Sequence, residues 1–187
     1  ADNGNIKTFV RRNEYGGGTD WAPNMLDDQF DTDQFLTPFA LWESFEDELS
    51  GDSVEYVPLE NISAGQSFWV ESATNNRPFK HTTDIDLVKD DTAMIQDPIS
   101  SKFFIGGEDQ VLMTKDVLRY NVEPEWWIIS DEDHNGVTGI PQSMAYSADG
   151  NHLFVGTIEG KLYRISNLRA AYDYDHADVN SPFSVVS

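Results

Sequence analysis

Gln142–Leu168, QSMAYSADGNHLFVGTIEGKLYRISNL, has a near-twin fifty residues upstream in Lys102–Leu118, KFFIGGEDQVLMTKDVL. Aligned without gaps, Phe104 meets Phe154, Ile105 meets Val155, Gly106 meets Gly156, Leu112 meets Leu162 and Leu118 meets Leu168. Each copy reads as strand, glycine-bearing turn, strand. A hairpin that recurs at about 50 residues is the signature of an all-β repeat architecture. In the later copy Met144, Tyr146, Leu153, Val155, Leu162 and Ile165 fall largely on alternating positions of short extended runs, the period of strands with one buried face. Ser147-Ala148-Asp149-Gly150-Asn151 supplies a turn, because Ser and Asp bond their own backbone and Gly150 permits positive φ. Ile158-Glu159-Gly160-Lys161 supplies the next reversal.

The run Ser147–Ile165, SADGNHLFVGTIEGKLYRI, resembles a blade of the lactonase-type and tryptophan-aspartate-type β-propellers. In those blades Ser-x-Asp-Gly precedes a strand and Gly-x-x-x-Gly flanks the following turn. Thr19-Asp20-Trp21, after Gly16-Gly17-Gly18, distantly resembles the end of the Asp-box turn of sialidases and of sortilin-like secreted bacterial propellers, although Asp20 separates Thr19 from Trp21. The resemblance implies antiparallel propeller blades. It implies no particular activity, since propellers host many unrelated functions.

On this reading the chain is one partial β-propeller domain, 1–187, with an irregular lead-in over 1–53, blades at about 54–95, 96–140 and 141–180, and the start of a further blade at 181–187. Thr37–Leu49, TPFALWESFEDEL, reads as an N-terminal amphipathic helix. Thr37 caps its first turn, Pro38 suits the first helical position, and Leu41, Trp42, Phe45 and Leu49 gather on one face. Strands are expected at Ile6–Arg11, Val54–Leu59, Ser67–Glu71, Phe79–Thr82, Thr92–Ile95 and within Asn121–Ser130. At about 50 residues per repeat, 187 residues hold fewer than four blades, so an incomplete ring is expected. The competing account pairs Phe183–Val186 with Ile6–Arg11 to close a small ring.

Of the 187 residues, 39% are apolar, enough for a hydrophobic core. No cysteine is present, which excludes disulfides and thiolate metal sites. No run of 18 apolar residues occurs, so membrane insertion by a helix is not expected. The 33 Asp and Glu against 12 Lys and Arg leave a formal net charge of −21. Such a surface repels phosphate backbones and anionic lipid, which disfavours nucleic acid and favours divalent cations or basic partners; solubility alone explains it equally simply. An extracellular, cell-surface or periplasmic setting is expected, with a protein or a glycan as partner. Numbering from Ala1 fits either a trimmed chain or a piece of a longer one.

The strongest chemical constellation is Asp131-Glu132-Asp133-His134-Asn135-Gly136. Oxygen donors at Asp131, Asp133 and Asn135 followed by glycine match the opening of a Ca²⁺ loop, the one cofactor the sequence suggests. Position twelve is Gln142 rather than a bidentate Glu, so an EF-hand is excluded, and a polar connecting turn is the alternative. Asp27, Asp28, Asp31 and Asp33 form a second carboxylate-dense stretch. Trp126 and Trp127 are adjacent in a strand, so alternation sends them to opposite faces. Either one is an exposed aromatic platform for a ligand such as a sugar, or both pack between blades. The four His lack zinc spacing, the Arg are scattered, and no nucleophile elbow, phosphate loop or dinucleotide fingerprint occurs. The expected function is that of a non-catalytic interaction module, with a propeller enzyme acting on glycans or lactones as the alternative.

Overall fold

The computed structural model describes residues 10–12, 18–20, 37–107, 110–120, 122, 124–131, 136–172 and 183–186. Apart from one 3₁₀ segment, Leu168–Tyr172, the regular structure of the described residues is all β. The chain falls into two compact units, one comprising Ala1–Glu43 with Ser101–Ser187, the other Ser44–Ser100.

The first unit holds two four-stranded sheets. In one, β3 (Phe39–Ser44), β8 (Ser100–Gly106), β9 (Gln110–Thr114) and β10 (Trp127–Asp131) lie in the order β10-β9-β8-β3. In the other, β11 (Pro141–Tyr146), β12 (His152–Thr157), β13 (Leu162–Ser166) and β14 (Ser184–Val186) follow one another as an antiparallel meander. A two-stranded pair, β1 (Val10–Arg12) with β2 (Gly18–Asp20), accompanies them. The repeat is therefore a repeat of sheets, and its two hairpins differ by one residue. Gly106 pairs with Val111, whereas Gly156 pairs with Leu162. The counterpart of Leu162 is thus Val111, not Leu112, because the second turn is one residue longer and is closed by Gly160 at φ 78°.

Burial follows from how many faces each sheet covers. The central strands β8 and β9 are buried on both faces, which is why FFIG and VLM run apolar without alternation. Phe104, Val111 and Met113 face a large core shared with Leu153, Val155, Tyr163 and Ile165 of the second sheet. Ile105 and Leu112 face the opposite way, into a smaller core with Val117, Trp126 and Ile128. In β12 and β13 burial alternates instead, so Phe154, Leu162 and Arg164 look outward. Phe104 is 0% exposed, while Phe154, its counterpart in the repeat, is 36% exposed. One buried cation joins this unit: Lys102 Nζ lies 4.1 Å from the centre of the Trp42 ring, a cation–π contact in a dry setting.

Two expectations change here. Thr37–Leu49 is not a helix; Phe39–Ser44 is the strand β3, and a turn follows. Of the expected helical stripe only Trp42 is buried, with Leu41, Phe45 and Leu49 all exposed. Period two explains this better than period 3.6: Ala40 and Trp42 point into the shared core, and the Trp42 indole donates from Nε1 to Ala148 O at 3.1 Å. The pairing and the burial outweigh local helical preference. Ser184–Val186 does not open a new sheet; it pairs with β13, Val185 opposite Ile165, as the fourth strand of that sheet, while most of Ile6–Arg11 lies outside the described residues.

The second unit contains β4 (Ser53–Tyr56) paired with β7 (Ala93–Gln96), and β5 (Ser67–Glu71) paired with β6 (Pro78–Thr82), all antiparallel. These four strands lie close to where alternation places them, although the first ends at Tyr56 rather than Leu59, and they form two ribbons rather than one four-stranded blade. Val54, Val70, Phe79, Ile95 and Ile99 make their core. The fully buried Asp97 anchors it, accepting from Ser72 Oγ at 2.7 Å, Ala73 N at 2.9 Å and Ile99 N at 2.9 Å. A buried carboxylate is tolerated only with its lone pairs satisfied in this way.

Candidate functional site

Asp131 closes β10, half-buried, and its carbonyl accepts from Gly136 N at 3.0 Å, while Ser130 Oγ accepts from Val137 N at 2.6 Å. The glycine is required by close approach, since a Cβ on Gly136 would collide with the Asp131 carbonyl and Ser130 Oγ. Asp133 and Asn135 lie outside the described residues, as do Asp27, Asp28, Asp31 and Asp33. Among the described residues no cluster of three or more His, Asp or Glu is arranged to hold a metal. Trp126 and Trp127 are both buried and point to opposite faces, Trp127 into the shared core and Trp126 into the smaller one. Neither indole is an exposed platform. Among the described residues the exposed Trp is Trp69, on the outer face of β5 opposite Lys80, a position marked in the sequence only by its place out of phase with Val70.

Among the described residues of the first unit, three titrating groups depart from their ordinary values: Asp149 and Glu159 through hydrogen bonds at their own turns, and Tyr163 through a bond from its strand to a distant loop. Asp149 is held below the usual carboxylate range chiefly by the Ser147 hydroxyl, and then by Asn151 N. Glu159 is lowered first by its own backbone amide. Tyr163 is lowered first by the Thr138 hydroxyl, 2.8 Å from its own. These are structural contacts and not a proton-transfer pair with values pushed apart.

A concave feature of the second unit is a cleft of about 500 Å³ walled by residues of 81–95, within the range of about 300–1,000 Å³ common to ligand sites. Its walls combine apolar side chains left in solvent with carboxylates. Ile85 is 66% exposed, Val88 55% and Met94 61%. Asp84, Asp86 and Asp91 stand among them, and His81 is the one basic side chain in the lining. The loop that carries these groups is pinned. Ile62 and Leu87 exchange both backbone hydrogen bonds, at 2.9 and 2.8 Å. Ala64 N donates to Asp86 Oδ1 at 2.8 Å, Lys89 N to Asn61 Oδ1 at 2.8 Å, and Asp90 N to Pro58 O at 3.0 Å. Thr83 Oγ1 donates to Ile85 O at 2.7 Å and takes a bond from Ile85 N at 3.2 Å, so the hydroxyl fixes the turn that presents Ile85. Val57 and Leu59, on the segment bonded to this loop, are exposed as well.

No motif in Asp84-Ile85-Asp86-Leu87-Val88 marks this cleft in the sequence. Only the bridge from Ile62 to Leu87 shows that Leu87 turns in while Ile85 and Val88 stay out. Comparison of the chain with protein-family models, with curated proteins and with solved structures finds no match.

Proposed function

We propose that this chain is a non-catalytic interaction module of an extracellular or cell-surface protein or assembly, built on β-propeller-type blades. The cleft of Ser44–Ser100 carries the functional part of this reading, since it joins exposed apolar walls to like-charged carboxylates on a loop fixed by backbone bonds. Preformed surfaces of that composition suit recognition, where rigidity limits the entropy lost on binding. The propeller part is supported by the way the two four-stranded sheets stack. The Phe104 face of one packs on the Val155 face of the next, the reverse face in repeat terms, as successive blades would.

Turnover on a panel of glycosides and lactones, with and without a chelator, tests the non-catalytic reading. None is expected, and turnover abolished by changing a single carboxylate would overturn it in favour of a propeller enzyme. A Ca²⁺ turn at Asp131, Asp133 and Asn135 belongs to the same reading as a structural element. Its test is a calcium titration followed by the melting temperature, which rises with ligand that binds only the folded state; an unchanged melting temperature removes that turn from the proposal.

A further inference from the structure

Resting on the module reading, we infer that the cleft of Ser44–Ser100 binds a short segment of a protein partner in which lysine or arginine side chains flank a large apolar one. The argument is one of complementarity. Ile85, Val88 and Met94 line the cleft yet remain more than half exposed, so an apolar side chain entering between them removes surface from water on both partners. Asp84, Asp86 and Asp91 surround those side chains, and the lining offers no lysine or arginine to neutralise them. Lys89, on the same loop, is not part of the lining and stands 3.9 Å from Asp90. The carboxylate of Asp86 is aimed by Ala64 N, so one rim charge is fixed before a partner arrives.

Other occupants fit less well. Nucleic acid and anionic lipid meet a rim of three aspartates on a chain of net charge −21 and are repelled. A sugar ring calls for an aromatic face, and His81 is the only ring in the lining. A bare metal ion calls for converging donors, and the described residues form no such cluster. Met94 adds an adaptable contact, the kind of side chain that accepts several apolar shapes.

Fluorescence anisotropy of labelled heptapeptides on the full chain tests the inference. The probes are an alternating Lys-Leu peptide, a Lys-Gly peptide of equal charge and a Glu-Leu peptide of equal apolar content. The Lys-Leu peptide is expected to bind most tightly and the Glu-Leu peptide not at all. Asp84→Asn with Asp91→Asn should weaken Lys-Leu binding by about tenfold, and Met94→Lys should do so at least as strongly, as expected for losing or reversing charge complementarity at an interface. Glu46→Gln with Glu71→Gln, exposed acids outside the lining, removes the same charge and should change binding by less than about twofold. These side chains are all exposed, so unchanged melting temperatures are expected throughout. Equal binding of the Lys-Gly peptide, equal weakening by the control pair, or no binding of the Lys-Leu peptide overturns the inference. Any of these leaves the module reading standing, whereas turnover in the glycoside and lactone panel overturns that reading whatever the peptides do.

Discussion

Replacing Gly150 by alanine isolates the contact that locks β3 onto the second sheet's first turn. Gly150 sits at φ 62°, and a Cβ there would lie 2.6 Å from Trp42 Cζ2 and closer still to the fused-ring bond. Gly160, in the next turn of the same sheet, has φ 78° and open space around its Cβ position. Gly160→Ala therefore reports the backbone cost alone, about 1 kcal/mol. Gly150→Ala adds overpacking against a fully buried indole, about 1–3 kcal/mol. Displacing the ring from its 3.1 Å bond to Ala148 O adds about 1 kcal/mol more. The expected total is about 3–5 kcal/mol, read from urea unfolding followed by tryptophan fluorescence. In a Trp42→Ala background the cost of Gly150→Ala should fall to about 1 kcal/mol, because the ring is gone and only the dihedral penalty remains. Equal costs at Gly150 and Gly160, or a Gly150 cost unchanged by removing Trp42, would refute the placement of β3 and with it the strand assignment of Phe39–Ser44.

Phe104→Ala should cost about 3–5 kcal/mol as a core truncation, and Phe154→Ala about 1 kcal/mol or less, both from urea midpoints; similar values would contradict the two-faced burial of the first sheet against the one-faced burial of the second. Asp97→Ala leaves three donors unsatisfied in the core of Ser44–Ser100, so amide exchange within that unit should accelerate by an amount equivalent to about 2–4 kcal/mol; unchanged protection there would count against the network. Asp149 has a folded pKa below its ordinary 3.8, so its contribution is complete above that value and is lost as pH falls through the lower folded value. The stability difference between wild type and Asp149→Asn should thus be constant from neutrality to about pH 5 and shrink progressively as pH falls through the ordinary and then the lowered folded value, with a size under about 1 kcal/mol for so exposed a group; a difference that grows on acidification would reverse the assignment.

The sequence by itself determined the elements whose evidence is local. The repeat of Lys102–Leu118 in Gln142–Leu168 placed both hairpins, since alternation and turn chemistry act over a few residues, and Ser67–Glu71 was read to its ends. It also placed Trp126 and Trp127 on opposite faces, which follows from strand geometry alone. What alternation does not encode is how many faces a sheet will cover, and that decided their burial. Thr37–Leu49 has helical spacing, but burial of Trp42 under Ala148 and pairing at the edge of β8 made it a strand, a choice set by partners distant in sequence. Tertiary structure likewise placed Ser184–Val186 beside β13. The cleft was hidden for the same reason: Ile85 and Val88 are ordinary apolar residues until the backbone bridge between Ile62 and Leu87 turns one neighbour inward and leaves them in water among three aspartates.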